Sequence, residues 1–423
     1  MIKAGWPAWL VALSIDGFFV YLAVLDALDV APRTRITAVY YAVLGALMTF
    51  AAWGCRSRLR ERLSSGGRLT MTATISAVTL AIWFLLNVAL LSEGSLGHRL
   101  AALLVLSTVP TAVLVAALPQ QQLERAGYGI VGLGIVFLAI EAFDLMHAYD
   151  EFFRFSPIAA LDPISAAKIP AVAAVVAAVL RPTRLLGRAL LLASFTLLTA
   201  STVIPGARGP LVALVIAVLA LVVVAGTQKR ARVAVLVCLF AGLGAGLAAA
   251  SQVGSYGYLQ STLPAFVGGT DVGGTDAGTA GGPAISTISI RRQWLEQAVS
   301  DIPERPVFGH GVGMLVDDTP EAERMGVAGQ RIYPHNSLVE AAYSLGLIGL
   351  LSYLGFVGAA IWAAARLRQR SRSTAALLMV GLGVYGLVEA NISGEIGADL
   401  LVWTAAALAI ALYGEQRRTM PVK

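Results

Sequence analysis

Apolar runs close to twenty residues long recur from Trp9 to Tyr413, and short polar breaks separate them. A helix of that length crosses ~30 Å of hydrocarbon, so the pattern predicts a polytopic helical bundle. The predicted spans lie near 8–25, 36–53, 71–91, 100–118, 127–147, 164–180, 186–203, 210–226, 233–250, 336–365, 374–390 and 399–413. Between the ninth and tenth spans the pattern fails, and a long polar interruption runs from Ser251 to His335. Its Gly/Thr/Asp stretch, Gly268 to Gly282, reads as a flexible tether, because such glycine density is costly to order. An amphipathic helix is predicted to start near Arg291. The expected fold class is therefore all-α and polytopic, about 12 transmembrane helices with short helices in the large loop. Three regions follow: 1–250 with spans one to nine, 251–335 as the loop, and 336–423 with spans ten to twelve and a short tail.

Composition agrees. With 57% hydrophobic and 13% charged residues and a mean hydropathy of +0.75, the chain carries about half the charge of an average soluble domain. Charge also sets the orientation. One set of alternate breaks holds 20 of the 31 Lys and Arg, whereas the short breaks opposite hold Arg33, Arg35, Arg99, Arg154 and Arg208. The positive-inside rule then makes both termini cytoplasmic and the long loop extracytoplasmic. Anionic lipid headgroups account for the net charge of +6, with no need for nucleic acid.

Polar residues at the outer membrane face supply the candidate chemistry, since charge near hydrocarbon requires a reason. Arg208 sits in Pro205-Gly206-Ala207-Arg208-Gly209-Pro210. It is either an interfacial snorkelling side chain or, beside bared main-chain amides, an anion site suited to phosphate. Arg291 and Arg292 open the loop helix, where the macrodipole disfavours cations unless an anion approaches. Lys168, in span six, lies at a depth similar to Glu141 and Asp144, and an ion pair is one reading of it. His335 follows Tyr333-Pro334 and opens span ten; there an imidazole is placed to act as a base or to cap the helix. Tyr333 and Asn336 flank it as candidate substrate contacts. Glu340 is five residues further on and about 140° around the helix, so it is not expected to orient the histidine. His310, between Gly309 and Gly311, reads as structural or acceptor-contacting. No metal site is expected: Asp-x-Asp is absent, Asp26 and Asp29 stand alone in the first outer loop, and Asp317, Asp318, Glu321 and Glu323 read as a solvated acidic face.

Three motifs together resemble the O-antigen ligase and polymerase superfamily. Ala207-Arg208-Gly209 heads a span as that family's Ser-Arg-Gly does. An arginine-led helix runs from Arg291 into Pro306-Val307-Phe308-Gly309-His310-Gly311-Val312-Gly313, similar to its Pro-Leu-Phe-Gly-Val-Gly-Pro-Gly. His335-Asn336-Ser337, with Gly346 and Gly349 beyond, looks like its His-Asn/Ser pattern closed by Gly-x-x-Gly. The family usually carries tryptophan four residues after the loop arginine; here Leu295 holds that place relative to Arg291, and Trp294 precedes it.

The resemblance implies transfer of polysaccharide from undecaprenyl pyrophosphate to a sugar hydroxyl of lipid A-core. It also implies a Gram-negative inner membrane, a periplasmic site and no cofactor. Arg208, Arg291 and His335 would be catalytic, with Arg292, Asn336, Tyr333, His310 and Lys168 as further substrate contacts. A polymerase acting on the same donor is the nearest alternative. A lipid or glycan transporter is a third reading, disfavoured because no inverted repeat is evident.

Overall fold

The computed structural model describes residues 6–17, 21–22, 34–92, 95–147, 163–224, 229–251, 287–317, 329, 332, 334–367, 373–393 and 399–419. The described residues are all-helical and hold no β-strand. In chain order the helices are α1 (Trp6–Asp16), α2 (Thr34–Gly54), α3 (Arg56–Ser65), α4 (Gly67–Leu91), α5 (Ser95–Leu103), α6 (Val109–Ala117) and α7 (Gln120–His147). They continue with α8 (Pro163–Val179), α9 (Leu185–Val203), α10 (Arg208–Val224), α11 (Lys229–Ala250), α12 (Thr287–Asp301), α13 (Ser337–Leu367), α14 (Thr374–Ser393) and α15 (Leu400–Thr419). A π-helical turn, Leu104–Thr108, joins α5 to α6.

Six stretches are long and apolar enough to cross a membrane: 67–91, 120–143, 185–203, 231–250, 337–367 and 374–392. Shorter apolar helices cover 39–54, 101–117, 164–179 and 208–224. The chain is a multi-pass membrane protein, and its surface says so independently. On α4 the exposed side chains Met71, Ile75, Val78, Ile82, Leu86 and Leu90 recur every three or four residues. That is an apolar stripe turned outward, which only lipid can cover.

Inside, α8 is the axis of the bundle. Ala171, Ala173, Ala174, Val175 and Val176 are wholly buried, and small side chains let neighbouring backbones approach closely. A Cβ on Gly134 of α7 would meet Ala173 at 2.5 Å, and one on Gly381 of α14 would meet Val175 at 2.8 Å. At one end of the bundle Arg62 of α3 is buried. It donates from Nη1 to the carbonyls of Ala116 and Leu118 at the C-terminal end of α6, and from Nη2 to Glu415. Burial pulls the Arg62 pKa below the ordinary arginine value, against the opposing pull of Glu415.

The tenth predicted span, 336–365, is not one rod. Gly346 takes φ 64° and ψ −164°, which breaks α13. The Tyr353 side chain nevertheless lies beside Ser337, sixteen positions away; in a straight helix those residues would stand ~24 Å apart. The first part, 337–345, therefore folds back on the second, and residues 347–367 form the long apolar helix.

Such a break orphans main-chain groups, and each finds a partner. The carbonyls of Tyr343 and Ser344 accept from the amides of His310 (2.8 Å) and Gly311 (3.1 Å), and the amide of Leu347 donates to the Pro306 carbonyl (2.8 Å). Trp83 Nε1 of α4 donates to the Leu345 carbonyl at 2.7 Å. Asn87 holds the inserted loop from the other side: its Nδ2 donates to the Phe308 carbonyl (3.0 Å) and its Oδ1 accepts from the Val312 amide (3.0 Å). A Cβ at Gly346 would lie 2.3 Å from the Val307 carbonyl oxygen, and one at Gly309 2.4 Å from that of Ser344.

Candidate active site

The C-terminal turn of α14 organises the polar end of the bundle. The last four carbonyls of a helix have no intrahelical partner and carry the negative end of its dipole, so they attract cationic donors. One of them, the Ile392 carbonyl, accepts from Arg291 Nη1 at 3.2 Å and bonds His335 Nδ1 at 3.0 Å. Two sequence candidates, Arg291 and His335, far apart along the chain, thus meet at a single atom.

A carbonyl can only accept, so this bond puts the imidazole proton on Nδ1 and, in the neutral ring, leaves the lone pair on Nε2. The ring is further fixed by Trp294 of α12, stacked on it at 5.6 Å between centroids with the planes 21° apart. Arg291 and Trp294, three residues apart, share one face of α12. His335 has φ 50°, the one positive value outside glycine among the described residues. Backbone in that region is strained for a residue of this kind and persists only where its surroundings enforce it.

Asn336 Oδ1 accepts from the amides of Leu338 and Val339, both at 3.1 Å, so Asn336 is the N-cap of α13. Next to it, buried Ser337 bonds Asn391 Oδ1 through its amide (3.2 Å) and its hydroxyl (2.9 Å). Proximal on the same turn, Glu389 is 3% exposed and pairs with Lys168 Nζ of α8 at 2.9 Å. Lys168 is therefore in an ion pair, and its described partner is Glu389 rather than Glu141. Glu141 is fully buried and accepts instead from the Ser201 hydroxyl, and the Asp144 side chain lies outside the described residues.

Arg208 reaches the same end by connectivity. Helix α8 begins at this end, five residues before Lys168, and α9 starts at the opposite end and runs back over 19 residues. Only residues 204–207 join α9 to α10, with Gly206 at φ 71° making the turn. Arg208, half-buried as the first residue of α10, stands level with Lys168 and Glu389.

The remaining candidates separate. Arg292 points outward and pairs with Glu296 at 2.8 Å, both well exposed; that hydrogen bond raises its pKa above the ordinary arginine value. His310 belongs to the loop that fills the α13 break: its Nε2 bonds the Asp301 carbonyl at 2.8 Å and its ring stacks on Tyr343 at 4.6 Å. Tyr333, Asp26, Asp29, Asp318, Glu321, Glu323 and the 268–282 tether lie outside the described residues. Asp317, expected on a solvated face, is instead 2% exposed, and its carbonyl accepts from the Gly329 amide. Among the described residues no group of three or more His, Cys, Asp or Glu is placed to hold a metal.

Four participants escaped sequence reasoning: Trp294, Glu389, Asn391 and the Ile392 carbonyl. Glu389 and Asn391 carried a usable signal, being polar residues in an apolar span, the same cue that singled out Lys168.

Residues 189–354 match the family model described as O-Antigen ligase. That match supports the resemblance to the O-antigen ligase and polymerase superfamily over this segment. No curated protein matches the chain. The O-antigen ligase segment contains Arg208, Arg291 and His335, while Lys168 and the α14 turn that gathers them lie beyond its ends.

Proposed function

We propose that the chain is an O-antigen ligase that moves polysaccharide from undecaprenyl pyrophosphate to a sugar hydroxyl of lipid A-core, at the periplasmic face of a Gram-negative inner membrane. The observation that carries the reading is the convergence of Arg291 and His335 on the Ile392 carbonyl. In the proposed step the acceptor oxygen forms a bond to the anomeric carbon as that carbon's bond to pyrophosphate breaks. The acceptor proton passes to His335 Nε2, the nitrogen the carbonyl leaves basic. The leaving pyrophosphate takes the electron pair, and Arg291 and Arg208 meet its growing charge. One displacement inverts the anomeric centre. With arginines to neutralise the leaving group, transfer is expected to be metal-independent.

The test is reconstitution of the purified protein with lipid-linked polymer in excess EDTA, offering either lipid A-core or a second lipid-linked repeat. Polymer joined to lipid A-core supports the ligase. Lengthening of the lipid-linked repeat instead identifies a polymerase using the same donor, and activity that disappears in EDTA and returns with Mg²⁺ contradicts the metal-independent step.

A further inference from the structure

At the end of the bundle opposite the candidate active site, α8, α9, α10, α11 and the start of α14 enclose a cavity of about 440 Å³. Most of its wall is apolar, with Leu180, Leu191, Leu221 and Val235 among the lining residues, yet Arg181, Arg188 and Arg232 also line it and no described carboxylate does. Arg188 Nε donates to the Pro182 carbonyl at 3.0 Å, which fixes its stem at the rim. Arg232 Nε is buried with no hydrogen-bond partner. A buried guanidinium nitrogen left unsatisfied is expensive, and its presence beside a cavity points to an acceptor that enters from outside.

We propose that this cavity is a binding site for an anionic phospholipid of the surrounding membrane, with the phosphodiester held by Arg232, Arg181 and Arg188 and an acyl chain lying along the apolar wall. Two observations select a lipid over a free anion. The polar and apolar parts of the wall are contiguous, as an amphiphile requires. The flanking helices also turn exposed apolar side chains outward at the same level, Leu190 on α9 and Val233 and Val237 on α11, so the site opens onto hydrocarbon. Charge selects the headgroup. A lining that carries three arginines and, among the described residues, no carboxylate favours a net negative phosphodiester and disfavours a zwitterion, whose ammonium would meet like charge. The site is separate from the transfer chemistry and stands whether or not that chemistry is as proposed.

The experiment titrates the full chain in neutral detergent with phosphatidylglycerol, phosphatidylcholine and inorganic phosphate, reading bound molecules by native mass spectrometry. One phosphatidylglycerol should be retained in preference to phosphatidylcholine, with no binding of phosphate alone. Arg232→Gln should weaken that binding about fivefold, the weight of one arginine near an anionic lipid, while Arg58→Gln on the exposed face of α3 should not. Ala234→Phe, which fills the cavity and leaves every arginine in place, should also displace the lipid. Equal retention of the two lipids, equal loss in Arg232→Gln and Arg58→Gln, undiminished binding in Ala234→Phe, or saturation by inorganic phosphate would each overturn the proposal.

Discussion

Between Pro334 and Leu347 the chain takes left-handed backbone twice, at His335 just before α13 and at Gly346 within it, and the two departures are stabilised by different means. At Gly346 most of the work is done by main chain: amides of His310 and Gly311 and the carbonyl of Pro306 replace broken helical bonds, with Trp83 and Asn87 clamping the loop from α4. At His335 it is done by side chains, with Trp294 stacked on the ring and the Ile392 carbonyl holding Nδ1. A break closed largely by backbone is sensitive above all to shape. A break held by side chains fixes the orientation of an imidazole ring. The glycine-rich loop motif and the histidine motif, both in the stretch between spans nine and ten, thus separate into scaffold and candidate site.

Substitution should break this contrast in opposite ways. His335→Asn keeps a side chain that tolerates positive φ, so the fold should survive while turnover falls by about 10²- to 10⁴-fold, the usual weight of a general base. Single-turnover kinetics alongside donor binding in nanodiscs would check it. Loss of donor binding with normal turnover of bound donor would make the histidine a phosphate ligand instead. Gly346→Ala should do the reverse. A Cβ forced into the Val307 carbonyl at a glycine-only conformation is expected to cost on the order of 3 kcal/mol of stability. It should lower the melting temperature in detergent and leave the per-molecule activity of the surviving folded fraction near normal. Asn336→Ala should have the smallest effect of the three, about 1 kcal/mol for a lost N-cap, with donor affinity unchanged. A large drop in affinity would restore Asn336 as a substrate contact.

Helix positions were legible in the sequence because an apolar run of spanning length is a local property. Span ten was the exception, since nothing in Gly346 alone announces that Pro306 to Gly311 will fill the gap it opens. Arg291 and His335 were legible because a cation expected at a helix start and a histidine after proline are anomalous, although the loop helix in fact begins at Thr287, a turn before Arg291. Their meeting point was not, because it is a carbonyl, which every residue carries. The pairing of Lys168 with Glu389 was hidden for a related reason: depth along a span ranks Glu141 with Glu389, and only packing decides between them. The choice between Arg291 and Arg292 likewise turns on helix phase, one facing α14 and the other solvent.

That phase difference gives the most direct test of the claim that the α14 turn gathers the active site. Equilibrium binding of a polyprenyl pyrophosphate should be measured for the unaltered protein, Arg291→Ala and Arg292→Ala, each confirmed to be folded. Arg291→Ala should weaken binding by about tenfold or more, as expected for loss of a charge-assisted phosphate contact, and Arg292→Ala should match the unaltered protein. Silent Arg291→Ala with binding lost in Arg292→Ala would place the donor on the outward face of α12 and contradict the site described.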